Sequence, residues 1–86
     1  MNSNDMALTL RATELVVASQ FGSTSMLQRK LGVGHAKAEW IMRHLESYGI
    51  VGHALENTTR DVLILTDRLT STLDRLKRED DPPHTD

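Results

Sequence analysis

The sequence contains no cysteine and no long apolar run, and these two absences exclude several classes of protein. Without cysteine there can be no disulfide bond, no thiolate nucleophile and no cysteine-ligated zinc. No apolar run exceeds four residues, as at residues 15–18, which is too short for the core of a signal peptide or for a membrane span. The two absences predict a soluble cytoplasmic protein, and 86 residues are enough for one small domain with a modest core.

The chain also has little net charge, -2 at pH 7, but its charges are unevenly distributed. Residues 79–86 contain four acidic residues and no lysine or arginine, so residues 1–78 carry ten basic and eight acidic groups. Between residues 22 and 44, four basic side chains accompany a single acidic one, Glu39. Local positive charge attracts the phosphates of nucleic acids even where the whole chain is acidic. We predict that residues 79–86 form a disordered acidic tail.

The first part of the sequence predicts a helix followed by a short extended segment. Apolar side chains recur every three or four positions across residues 5–19, and Ser3 or Asn4 precedes them as an N-cap. Residues 22–24 are too few for a helix and are rich in serine and threonine, which favours an extended conformation.

The next stretch has the pattern of a helix-turn-helix. Ser25 and Gln28 have the spacing of a capping box, which predicts a second, short helix to about residue 31. The Gly-Val-Gly sequence at 32–34 predicts a turn, because glycine accepts the left-handed conformation that commonly ends a helix. From 35 to 48 the apolar positions again share one helical face, and Gly49 follows.

The remaining sequence predicts a β-hairpin and a fourth helix. Apolar runs at 50–51 and 62–64 flank the polar stretch 56–59, as the two strands and tip of a hairpin would. Three helices followed by a hairpin form a winged helix, which we assign to residues 1–65. Helical spacing resumes at 66–78, with Thr66 as the predicted cap.

Two stretches of the sequence carry a family resemblance. They are FGSTSMLQRKLGVGHAKAEWIMRHLESYGIVG at residues 21–52 and RDVLI at residues 60–64. Together they resemble the gamma domain of the FtsK and SpoIIIE family of bacterial DNA translocases, over roughly residues 6–64. The resemblance implies a winged helix that binds short orienting sequences on the chromosome and so determines the direction of the motor.

The sequence also departs from this family. It contains no GxxxxGK[ST] phosphate-binding loop, so we expect a stand-alone protein that does not itself translocate DNA. The family tends to have arginine at the position of Trp40 and an acidic residue at that of Arg43. The preferred DNA sequence therefore does not follow from the resemblance.

The face of the third helix opposite its apolar face is the predicted DNA-binding surface. We predict that Arg43 recognises a base, because arginine can bind O6 and N7 of guanine together in the major groove. Basic residues at the edges of the second and third helices and the polar tip of the hairpin are predicted to contact the phosphate backbone. The complete predicted set is Gln28, Arg29, Lys30, His35, Ala36, Lys37, Trp40, Arg43, His44, Ser47, Asn57, Thr58, Thr59 and Arg60.

The fourth helix carries a leucine stripe that must be buried somewhere. It could fold back on the three-helix core or pair with the same helix of a second chain. We predict the second arrangement, a homodimer, because pairing would place two recognition helices on the DNA. The predicted dimerisation residues are Leu65, Leu69, Leu73 and Leu76.

These observations predict a small stand-alone bacterial DNA-binding protein of the nucleoid: a regulator, a nucleoid factor or a mobile-element accessory factor. Its helix at 35–48 would lie in the major groove of double-stranded DNA. The alternative is a protein–protein interaction module that uses an exposed Trp40 face. We predict no enzymatic activity, catalytic residue, cofactor, metal site, membrane partner or small-molecule substrate, because the residues present do not assemble a nucleophile with a base or a cluster of metal ligands.

Overall fold

Four α-helices and two short strands make up the described part of the chain, residues 3–53 and 59–80 of a computed structural model. This mainly helical architecture with a small antiparallel sheet confirms the predicted winged-helix class. Among these residues no helix is both long and apolar enough to cross a membrane. The elements in chain order are α1 (Ser3–Ser19), β1 (Gly22–Ser23), α2 (Thr24–Leu31), α3 (His35–Ser47), β2 (Thr59–Arg60), a 3₁₀ turn (Thr66–Arg68) and α4 (Leu69–Asp80).

The start of α2 differs from its prediction. Ser23 is the N-cap, and its hydroxyl accepts a hydrogen bond from the amide of Met26 at 3.1 Å. The predicted capping box at Ser25 is therefore wrong, since the helix already begins at Thr24. The earlier start buries Thr24, which is 1% exposed, between α2 and the rest of the fold.

The turn between α2 and α3 has the predicted geometry. Gly32 adopts a left-handed conformation with φ 66° and ψ 38°, and its amide donates to the carbonyl of Gln28 at 3.0 Å. Val33 packs partly against the core, and Gly34 is the N-cap of α3. The two helices are thus joined by a short, defined corner.

The core lies between α1, α2 and α3. Each fully buried aliphatic side chain contributes about 1.5–3 kcal/mol to folding relative to an exposed one. On α1 the buried face includes Thr9 and Thr13, because the Thr13 hydroxyl donates to the Thr9 carbonyl at 2.8 Å and so needs no other partner. The buried apolar residues of the three helices are Ala12, Val16, Val17, Met26, Leu27, Ala38, Ile41, Met42 and Leu45.

The sheet joins the wing to the segment between α1 and α2. β1 pairs antiparallel with β2, with Gly22 opposite Arg60. On the other side, the predicted hairpin is confirmed in its arms by the antiparallel bridge between Val51 and Val62. Three residues of its predicted tip, 56–58, lie outside the described residues.

Gly22 allows the close approach of β1 and β2. A Cβ atom at this position would lie 2.5 Å from the backbone oxygen of Arg60. Since that contact is with backbone, a side chain here would force the two strands apart.

α4 folds back onto α1 and corrects the predicted dimerisation stripe. Leu76 is only 1% exposed and belongs to the core, and Leu69 packs against that core. Leu65 is 66% exposed, and Leu73 is half-buried. The four leucines therefore do not form one free surface, because the chain's own helices already cover part of the stripe.

The ends of α4 also differ from the prediction. Leu65, and not Thr66, caps the 3₁₀ turn that leads into the helix. The helix continues to Asp80, so the predicted tail begins within it, while residues 81–86 lie outside the described residues. The guanidinium of Arg75 donates to the carbonyl of Tyr48 at 2.7 Å and so attaches α4 to the end of α3.

Candidate nucleic-acid interface

The amino end of α3 is open at the corner with α2. Its N-cap, Gly34, provides no side-chain hydrogen bond, and a Cβ atom at this position would meet no atom within 4 Å from the described residues beyond its chain neighbours. Amide groups in the first turn of a helix lack intrahelical partners and attract anions. Beside this turn, His35 Nδ1 lies 3.4 Å from Gln28 Oε1 across the corner.

Three predicted DNA-binding cations are exposed and have no ion-pair partner among the described residues. Arg29 and Lys30 occupy the last turn of α2, and Arg43 lies in the second half of α3. None of them forms an ion pair with a carboxylate of residues 3–53 or 59–80. Their charges are therefore available to a partner that approaches this corner.

Arg43 shares its helical face with two small exposed residues. Ala36 lies seven positions before it and Ser47 four positions after it, and both side chains are exposed. The Ser47 hydroxyl donates to the carbonyl of His44 at 2.6 Å within the same helix. Small side chains along this face allow the backbone of α3 to approach a groove closely.

Lys37 is less available than the prediction required. Its ammonium group donates to the carboxylate of Asp5 in α1 at 2.5 Å and lies 4.6 Å from the ring centre of Trp40. The Lys37 side chain retains 37% exposure. It is held towards α1, and not directed freely along the open face of α3.

Trp40 is not the fully exposed side chain that the helical phase predicted. It is half-buried, packs against the core and stacks on His44, with ring centres 4.9 Å apart and planes 14° apart. His44 in turn meets Tyr48 edge to face at 5.2 Å. This row of rings lies along the flank of α3, where Lys37 and His44 cover the two sides of the indole.

The structure contradicts the predicted DNA contact of Arg60. Its side chain is 4% exposed, and its guanidinium donates to Glu46 at 2.5 Å and to the carbonyl of Gly52 at 3.2 Å. His53 also pairs with Glu46. Arg60 therefore links the wing to α3 inside the protein. Its guanidinium is buried and already donates to Glu46 and Gly52, so it is not available to DNA.

The other predicted wing contacts divide between two regions. Thr59 is half-buried in β2 opposite Ser23, and it takes part in a further interaction. Asn57 and Thr58 lie outside the described residues. Their predicted contacts with the DNA backbone stay predictions.

A second carboxylate of α3 is also held, and sequence reasoning did not foresee it. The hydroxyl of Thr24 donates to Glu39 Oε1 at 3.0 Å. Both acidic side chains of α3, Glu39 and Glu46, thus have partners from other elements. Thr24 and Glu39 are 15 positions apart, and Arg60 and Glu46 are 14 positions apart. Local sequence spacing therefore does not predict either pairing.

The family relationship of the chain follows from comparison with known proteins. A family model described as the FtsK gamma domain matches residues 3–65, which includes α1, α2, α3 and the wing. The chain belongs to the FtsK gamma domain family. This confirms the resemblance found in the sequence, and the match ends just before α4.

Curated relatives of this FtsK gamma domain are DNA translocases. The DNA translocase FtsK of Tropheryma whipplei is 56% identical over 73 residues, which cover 85% of this chain and 10% of the relative. That of Mycobacterium tuberculosis strain H37Rv is 56% identical over 70 residues, 81% of this chain and 8% of the relative. That of Streptomyces coelicolor is 50% identical over 76 residues, 88% of this chain and 8% of the relative. The chain thus spans a tenth or less of these proteins, and no solved structure gives a significant match.

Proposed function

We propose that this FtsK gamma domain binds double-stranded DNA by placing α3 in the major groove. The observation that carries the proposal is a set of three exposed cations without carboxylate partners among the described residues: Arg29 and Lys30 at the open corner of α2 and α3, and Arg43 further along α3. The relatives support it, since they are named DNA translocases.

The side chains of the corner suit different parts of the DNA. A major groove of B-form DNA admits an α-helix, and arginine is its commonest specific contact, with guanine. Arg43, in the exposed strip of α3, is placed to make such a contact. Arg29, Lys30 and the open amino end of α3 suit phosphate oxygens, which position the helix.

The wider biological role is proposed from the relatives and the sequence. We propose a binding function without catalysis. The α2–α3 corner combines cations with small side chains, and its described residues do not pair a nucleophilic side chain with a general base. Roles as a regulator, nucleoid factor or accessory protein stay predictions. The homodimer stays one too, although Leu76 is 1% exposed in the single chain and is therefore not on the free leucine surface that the prediction required.

The protein-interaction alternative has lost its main support. It relied on a freely exposed Trp40, but this indole is half-buried between Lys37 and His44 and packs against the core.

Binding to labelled duplexes, measured by fluorescence anisotropy over a range of salt concentrations, tests the proposal. We expect log affinity to fall with log salt on a slope of about -3 to -5, because one small domain neutralises few phosphates. Replacing Arg29 and Lys30 by alanine should reduce the magnitude of that slope by about two. Absence of binding at low salt, or affinity independent of salt, would contradict the proposal.

A matched control removes the same charge elsewhere. Arg68 and Lys77 are exposed in the 3₁₀ turn and in α4, away from the α2–α3 corner. Replacing both by alanine should leave the slope within about half a unit of the wild-type value, since they contact no phosphate. An equal loss in both double variants would indicate that net charge alone governs binding.

A further inference from the structure

Two carboxylates lie within helical reach of the proposed base-contacting arginine. Glu39 is four residues before Arg43 and Glu46 is three residues after it in α3. Oppositely charged side chains at these spacings are neighbours on a helix surface and commonly pair. Left to themselves, both acids would compete with DNA for the guanidinium of Arg43.

The fold engages both acids with side chains from outside α3. Thr24, at the start of α2, donates to Glu39 at 3.0 Å and is 1% exposed. Arg60, in β2, donates to Glu46 at 2.5 Å with a side chain that is 4% exposed. Because Thr24 and Arg60 are buried, their side chains have less conformational freedom than surface side chains and stay in contact with the two acids.

Arg43 remains exposed between the two engaged acids. Arg43 forms no ion pair among residues 3–53 and 59–80. This is so although Glu39 and Glu46 of the same helix have the sequence spacing at which side chains commonly pair. Arg60 also places a positive charge against Glu46, and it therefore reduces the repulsion between that carboxylate and approaching phosphates. Within the described part of the chain, the arrangement leaves Arg43 without an ion pair on a helix that also contains two acids.

We propose that Thr24 and Arg60 are positioning residues that keep Arg43 available for DNA by engaging Glu39 and Glu46. This inference rests on the proposed DNA-binding function and assigns to these buried residues an effect on base recognition. Neither residue touches the DNA, and each acts through the acid that it holds.

The variant Thr24→Val tests the first half with a nearly isosteric change. Loss of the hydroxyl should free Glu39 to pair with Arg43 and weaken binding to the preferred duplex by about two- to fivefold, the range of an exposed ion pair. Adding Glu39→Gln should restore the affinity. In the Arg43→Ala background, Thr24→Val should have no further effect, because the group that Glu39 would engage is gone.

The variant Arg60→Met tests the second half. It should weaken binding, and Glu46→Gln should restore it, while the slope of log affinity against log salt stays unchanged. A direct phosphate contact by Arg60 would instead reduce the magnitude of that slope by about 0.9. Circular dichroism and thermal unfolding identify any variant that has lost its fold, and Thr24→Val then carries the test.

Side-chain NMR of Arg43 without DNA separates this inference from the proposed function. Pairing with Glu39 in Thr24→Val should slow the exchange of the Arg43 Nε proton relative to the wild-type protein. Slower exchange in a protein that binds no duplex would refute the proposed function and keep the positioning role of Thr24. Unchanged exchange, or a loss of affinity that persists in full without Arg43, would overturn the inference.

Discussion

The helices α2 and α3 carry arginines that are exposed, whereas the segment after residue 50 carries an arginine and a leucine that are buried. Arg29 at the corner and Arg43 further along α3 are exposed and have no ion-pair partner among the described residues. After residue 50, Arg60 is buried against Glu46, and Leu76 is buried against α1 and its neighbours. What separates the two regions is whether another element of the chain supplies the partner.

This difference assigns the two regions different contributions. An exposed cation adds little to the stability of a small domain, but it gains strongly when a polyanion approaches. A buried arginine has the reverse balance, because removing its partner leaves an uncompensated charge. We therefore expect variants of the exposed cations to change binding without loss of stability, and variants of buried residues in the later segment to lower stability, with Arg60 acting on binding only through Glu46.

The largest expected effect is on folding, at Leu76. Replacing this fully buried leucine by alanine should lower the free energy of unfolding by about 3 kcal/mol, because the change removes apolar burial and leaves a cavity. Leu65→Ala, on a residue that is 66% exposed, is the matched control and should cost less than about 0.5 kcal/mol. Urea or thermal unfolding followed by circular dichroism measures both.

Protein concentration distinguishes a core role of Leu76 from a role in a dimer interface. If the leucine only completes the monomer core, the loss should be the same at low and high concentration. A loss that shrinks as concentration rises, together with a change in sedimentation, would support the predicted homodimer and place Leu76 in an interface between two chains.

The next effect is on binding, at Arg43. Arg43→Ala should weaken binding to the preferred sequence by about 1–3 kcal/mol and relax the preference at one base pair, with unchanged stability. Selection from a randomised duplex library measures the base preference. A profile identical to that of the wild-type protein would place base recognition elsewhere on the domain.

Periodicity and glycine placement were sufficient to predict much of the fold. The corner at Gly32, the buried face of α3 and the arms of the wing all follow from local patterns. The resemblance to the FtsK gamma domain family was also visible in the sequence. These features are local because helical phase and turn chemistry depend on residues only a few positions apart.

The partners of charged side chains were not predictable from the sequence. The sequence alone does not show that Arg60 is buried while Arg43 is exposed. The pairing of β1 with β2 places Arg60 in the interior beside Glu46. The partial burial of Trp40 likewise depends on the rotation of α3 against the core, which a helical wheel gives only approximately. Long-range packing therefore decided which predicted contacts remain accessible.

The smallest expected effect is a difference in the salt dependence of DNA binding between variants of two lysines, Lys30 and Lys37. Lys30→Ala should weaken binding to all sequences alike and reduce the magnitude of the salt slope by about one, because an exposed lysine without an ion pair among the described residues suits a phosphate. Lys37→Ala should change the slope by less than about half as much, since Asp5 already neutralises its charge. Asp5→Asn should strengthen binding if it releases Lys37 towards the DNA, and anisotropy titrations over several salt concentrations resolve all three variants. Equal losses for the two lysines would mean that Lys37 leaves Asp5 when DNA binds, and the open surface would then extend along α3 towards α1.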